Sequence, residues 1–140
     1  MFKQLVDGFY VAGQLQREDF AAAAAEGVRT VINNRPDGEA PDQLSHADAQ
    51  EAAKAAGMAY HYLPVVNGQL NIETVEALRA LLDEIEGPVL AYCRSGTRST
   101  FLWAFAKGDS LPTDDIVEAA AAAGYDLGGI APQLAAMRQR

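Results

Sequence analysis

Val89-Leu90-Ala91-Tyr92-Cys93-Arg94-Ser95-Gly96-Thr97-Arg98-Ser99 is the stretch on which the reading of this chain turns. An apolar run leads into the only cysteine, a short polar turn with two arginines follows, and the chain becomes apolar again from Phe101 to Ala106. That pattern predicts a strand, a tight loop and a helix. A thiol at such a turn lies where backbone N–H groups and the positive end of the helix dipole converge, which favours an anion on sulfur and cradles a bound oxyanion. Gly96 allows the turn a positive φ. Arg98 brings a planar fork that fits two oxygens of one anion, and Ser99 is expected to donate a hydrogen bond to the thiolate. The backbone N–H groups of Arg94, Ser95, Gly96 and Thr97 line the cradle. A lone cysteine ending a buried strand is ordinarily an inert small hydrophobe. Here its polar, arginine-bearing sequel lies where open parallel sheets bind their ligands, which favours a nucleophile.

The rest of the composition bounds the problem. A chain of 140 residues is one domain's worth, and 49% hydrophobic with 21% charged residues is ordinary for a globular fold. A formal net charge of -8 argues against nucleic acid or an anionic membrane as partner. The expected ligand is therefore a small anionic sulfur or phosphate compound. One cysteine makes no internal disulfide, and His46 and His61 add no zinc-like spacing, so neither metal nor cofactor is expected. The first residues lack a signal-peptide core and no stretch is long enough to span a bilayer; a reducing cytoplasm suits the free thiol.

Further elements follow from punctuation and period. Asp7-Gly8 between two short apolar runs predicts a hairpin. Helices are predicted over Arg17–Ala25, over Ser45–Ala56, and after the cap Asn71, with stops at Gly27, Gly57 and Gly87-Pro88; strands are predicted over Val28–Asn33 and Ala59–Leu63. Another helix opens at Thr113, and a short last one uses Ile130, Leu134 and Met137. Trp103 and Phe105 read as core, His61 as a strand residue and His46 as a solvent-facing helix residue. Alternating strands and helices call for a three-layer α/β/α domain over residues 1–140.

Four stretches carry a family resemblance: Val11-Ala12-Gly13-Gln14-Leu15, Thr30 to Glu39, Ala91 to Ser99, and Ala123-Gly124-Tyr125-Asp126. Together they resemble the beta-lactamase hydrolase-like protein, phosphatase-like domain family, a bacterial sulfur transferase family. The resemblance implies a dual-specificity phosphatase fold, with a four-stranded parallel core sheet plus the N-terminal hairpin. It also implies a possible partner, a separate persulfide dioxygenase, because some relatives carry such a domain fused.

The loop has four residues between Cys93 and Arg98, as in C-R-x-G-x-R rhodanese loops, whereas tyrosine phosphatases place one more. Dual-specificity phosphatases also carry an acidic residue in the loop after the strand Ala59–Leu63, to protonate the leaving group. Asn67 stands there and cannot do so. The sequence reading accordingly ranks a rhodanese-type sulfurtransferase first, acting on thiosulfate or small persulfides through a Cys93 persulfide. Arg35 is its second cation, with Asn67 beside the substrate. A phosphatase working through a Cys93 phosphocysteine is the alternative, with Asp37 or Glu39 as substitute acid. A non-catalytic oxyanion sensor is the third reading.

Overall fold

The computed structural model describes residues 2–66 and 68–138. A hairpin opens the chain, with β1 over Lys3–Val6 and β2 over Phe9–Ala12. There follow α1 over Arg17–Ala25, β3 over Thr30–Asn33, α2 over His46–Ala55, β4 over Ala59–Tyr62, α3 over Ile72–Glu84 and β5 over Val89–Tyr92. Helices α4 (Thr97–Lys107), α5 (Thr113–Ala122) and α6 (Ala131–Arg138) complete the chain, with a 3-10 turn at Gly128–Ile130 before the last. The sheet runs β1-β2-β5-β3-β4; β2, β5, β3 and β4 are parallel, and only β1 is antiparallel.

Side chains alternate across a strand, and here each face has its own core. Val89 and Ala91 of β5, with Ile32 of β3 and Phe9 and Val11 of β2, pack under α3, α4, α5 and α6 through Leu78, Leu102, Trp103, Ile116 and Leu134. Leu90 and Tyr92, with Val31, face Phe20 and Ala23 of α1 and Ala49 and Ala53 of α2. The small alanines let those two helices sit close. All four residues of β5 are buried, as expected for a parallel strand covered on both faces. Both α/β/α layers and the four-plus-hairpin sheet match the sequence reading. No helix among the described residues is long and apolar enough to cross a membrane.

The differences are local. The strand predicted from Val28 begins at Thr30, because Val28 N–H is still bonded to Ala23 O at the helix end. Asn71 caps its helix as expected, accepting from Thr74 N, whereas Ser45, read as helical, is instead the N-cap of α2 and accepts from Asp48 N. His46 is not simply solvent-facing: the start of α2 lies over β4, where the imidazole stacks on Tyr62 with ring centroids 4.0 Å apart and its Nδ1 meets Tyr60 Oη at 2.8 Å. Trp103 is fully buried, but Phe105 is only partly so and walls a surface cavity.

Candidate active site

The carboxyl edge of β5 delivers the loop, and its neighbours anchor it. Cys93 N–H donates to Ala12 O at 3.3 Å and Gln14 N–H to Arg94 O at 3.1 Å, so the β2 end holds one side of the turn. Gly13 allows this close approach, since a Cβ would stand 3.1 Å from Arg94 O and the loop would have to give by a few tenths of an ångström. Gly96 takes φ +93° and caps α4; its N–H points back to Cys93 Sγ at 3.1 Å. Its carbonyl accepts from Thr100 N and Oγ1. Cys93, only 1% exposed, is thus fixed at the start of α4, and the loop residues after it, Arg94, Ser95, Thr97 and Arg98, wall a cavity together with Glu39.

Arg98 is held rather than free. Its Nη1 donates to Glu39 Oε2 at 2.8 Å and to Val65 O at 2.8 Å, and its Nη2 to Glu39 Oε1 at 2.7 Å. Glu39 therefore grips the tip of the guanidinium. Nε and the second Nη2 hydrogen have no hydrogen-bond partner among the described residues, and together they form a bidentate pair suited to an oxyanion. Arg35 Nε donates to the same Glu39 Oε1 at 3.0 Å, and Arg35 Nη1 to Gln14 Oε1 at 2.9 Å. The hydrogen bond from Arg98, and then that from Arg35, hold the Glu39 carboxyl down at about 2, below its ordinary 4.5, against the opposing effect of burial.

Three expectations need correction on this geometry. Glu39 is ionised and clamped by two guanidiniums, so it orients Arg98 instead of supplying a proton. Asp37 accepts from His46 N at 2.6 Å and does not line the cavity, and Arg35, 4% exposed, is a strut for Glu39 rather than a second substrate cation. Ser99 Oγ donates to Asn34 Oδ1 at 2.7 Å, not to the thiol. Its side chain leaves α4 toward β3, and Asn34 in turn ties β4 through Leu63 O. Asn67 lies outside the described residues.

Two contributors went unassigned in the sequence reading although their stretches carried the resemblance. Gln14 braces Arg35. Tyr125 Oη donates to Ser95 O at 2.9 Å, and a Cβ on Gly96 would fall 2.1 Å from that oxygen. Its phenol is raised above the ordinary range, first by burial and then by the Cys93 charge, and so stays a donor. The loop is thus pinned from β2 on one side and from the α5 end on the other.

A family profile described as beta-lactamase hydrolase-like protein, phosphatase-like domain, matches residues 1–110. The chain belongs to this family. A beta-lactamase hydrolase-like protein of Xylella fastidiosa is 35% identical over 120 residues, which are 84% of this chain and 28% of that one. The chain thus spans under a third of that relative. Among solved structures, a Neisseria meningitidis protein assigned as a phosphatase is 36% identical, with a TM-score of 0.86 and 97% of each chain covered. A chain titled Tk-PTP, in its active form, shares the fold with a TM-score of 0.75 at 14% identity. The phosphatase-like domain is thus established, and these relatives support the phosphatase alternative better than the first-ranked sulfurtransferase.

Proposed function

We propose that this phosphatase-like domain is a cysteine-dependent hydrolase of phosphate monoesters. The observation that carries the reading is the pairing on one loop of a thiol, fixed by Gly96 N–H at 3.1 Å, with a guanidinium whose tip is gripped by Glu39 and which walls the adjoining cavity. The Cys93 thiolate attacks phosphorus: an S–P bond forms, the P–O ester bond breaks, and the leaving oxygen departs with its electron pair. Arg98 and the loop N–H groups take the charge that develops on the phosphoryl oxygens. Water then cleaves the S–P bond, releasing orthophosphate and restoring the thiolate.

Leaving-group protonation is the weak step, because Glu39 is ionised and Asp37 is engaged on α2. Good substrates are therefore esters of acidic alcohols or phenols. A series of aryl phosphates with graded leaving-group acidity tests this: turnover is expected to fall steeply as the phenol becomes less acidic. Failure to release phosphate from any member contradicts the proposal.

The ionised Glu39, with the four-residue Cys93–Arg98 spacing, supports sulfur transfer as the second reading. A thiolate or sulfite needs no proton to leave, and Cys93 would retain the sulfane sulfur. A dioxygenase supplied by another chain would be the consumer in that case.

A further inference from the structure

Beside the anion cavity runs a second one of about 390 Å³, and Thr97 and Arg98 wall both. The rest of its lining is Val65, Gly68, Leu70, Phe101, Phe105, Ile130 and Gln133, so among the described residues Arg98 is the sole charged one along it. Leu70, Phe105 and Gln133 also line a further, mostly apolar cavity of about 350 Å³, whose lining includes Ile72, Val75 and Met137. Through these shared residues the two adjoin as one groove, with Arg98 in the lining of the first and Ile72 and Met137 in that of the second. Ile72, 58% exposed, marks its far end, and Val66, 50% exposed, follows Val65 at its near end.

We propose that this groove is the subsite for the substrate's own hydrocarbon chain, so that the preferred substrates are amphiphiles with an anionic head on Arg98 and an unbranched aliphatic tail. The proposal rests on the anion-binding reading of the Cys93 loop. Three observations choose the occupant. Sharing Thr97 and Arg98 joins the groove to the place where the head sits. Two adjoining cavities of about 390 and 350 Å³ offer more apolar lining than a single ring needs, which suits a chain. The lining offers no acid and no second cation, so neither a basic nor a polyanionic segment finds a partner there.

Calorimetric titration of the full chain with methyl-, butyl- and octylphosphonate, below their aggregation limits, tests the proposal. These compounds cannot be hydrolysed, so the result does not depend on turnover. Affinity is expected to rise about threefold for each methylene that enters the groove. In Phe105→Ser, and separately in Ile130→Ser on the facing wall, the octyl-to-methyl affinity ratio is expected to fall by about tenfold. Equal affinity for the three ligands overturns the proposal, as does a ratio unchanged in both variants. Octylphosphonate binding that survives Arg98→Ala also overturns it, because the groove would then act without the head. Sedimentation showing a dimer that Phe105→Asp dissociates would assign the groove to a second copy instead. An intact chain-length series with no phosphate released from any ester would leave this proposal standing and remove the hydrolase reading.

Discussion

Two loops meet over the thiol, and they are built on opposite principles. The Cys93–Arg98 loop takes its form from its own backbone, with a glycine at positive φ whose N–H turns back on Cys93 Sγ and whose carbonyl accepts from Thr100 at the helix start, while β2 and Tyr125 anchor that form from outside. The Arg35–Ala40 loop is shaped by side chains from far away, since its Glu39 meets Arg98 across 59 positions of sequence and Arg35 meets Gln14 across 21. One loop supplies the nucleophile, the other supplies the aim. The lesson is that local backbone chemistry can be read from a motif, whereas an aiming contact has to be found in space.

The comparison is sharpest if the first loop is disarmed. Cys93→Ser is expected to lower phosphate release by at least about a thousandfold with the thermal melt unchanged, because the hydroxyl is a far weaker nucleophile in the same space. Arg98→Lys keeps the charge but loses the fork, so turnover is expected to fall by about a hundredfold while the circular dichroism spectrum is retained. Residual turnover near wild type in either variant would break the assignment of the loop.

Glu39→Gln addresses the second loop. It leaves the guanidinium of Arg35 without its carboxylate, and Arg98 loses its aim, so a loss of about 2 kcal/mol in urea unfolding and about tenfold in turnover are expected together. The pH dependence gives an independent check. Because the folded carboxyl is held down at about 2 from 4.5, the Glu39 contribution is full above the unfolded value and fades as pH drops through the folded one. Wild type is therefore expected to lose more stability than Glu39→Gln on acidification from about pH 6 to about pH 3. Parallel curves would show that the carboxylate is not clamped in solution.

Both the reach and the failure of sequence reading follow from this difference. Val89 to Ala106 was legible because strand, glycine turn and helix are each written in neighbouring residues, and the Asp7-Gly8 hairpin and the Asn71 cap were legible for the same reason. Glu39 was found as a candidate but with its chemistry reversed: a carboxyl expected to give a proton is, once flanked by two guanidiniums, an anion. Ser99 was assigned to the wrong partner by the turn of a helix, since about 100° separates successive residues of α4 and its side chain falls on Asn34. His46 looked solvent-facing because stacking on Tyr62 depends on how α2 lies over β4, which no periodicity records.

Tyr125 carries the smallest expected effect. Tyr125→Phe removes the hydrogen bond to Ser95 O but keeps the ring beside Gly96, so the loop should loosen without losing its form. A fall of a few-fold in turnover, with about 1 kcal/mol of stability, is expected by enzyme assay and thermal unfolding. No change in either would mean that β2 alone holds the loop.

The central claim is that Cys93 becomes the phosphoryl carrier while Arg98, aimed by Glu39, holds the oxyanion. Rapid acid quenching of wild type during turnover of an aryl phosphate, followed by intact-mass and peptide mass spectrometry, reads it directly. The account expects a single phosphoryl adduct on Cys93 that is absent from Cys93→Ser. An enzyme that releases no phosphate and carries no such adduct, yet gains one sulfur atom on Cys93 when treated with thiosulfate or a persulfide, would contradict it and establish sulfur transfer in its place.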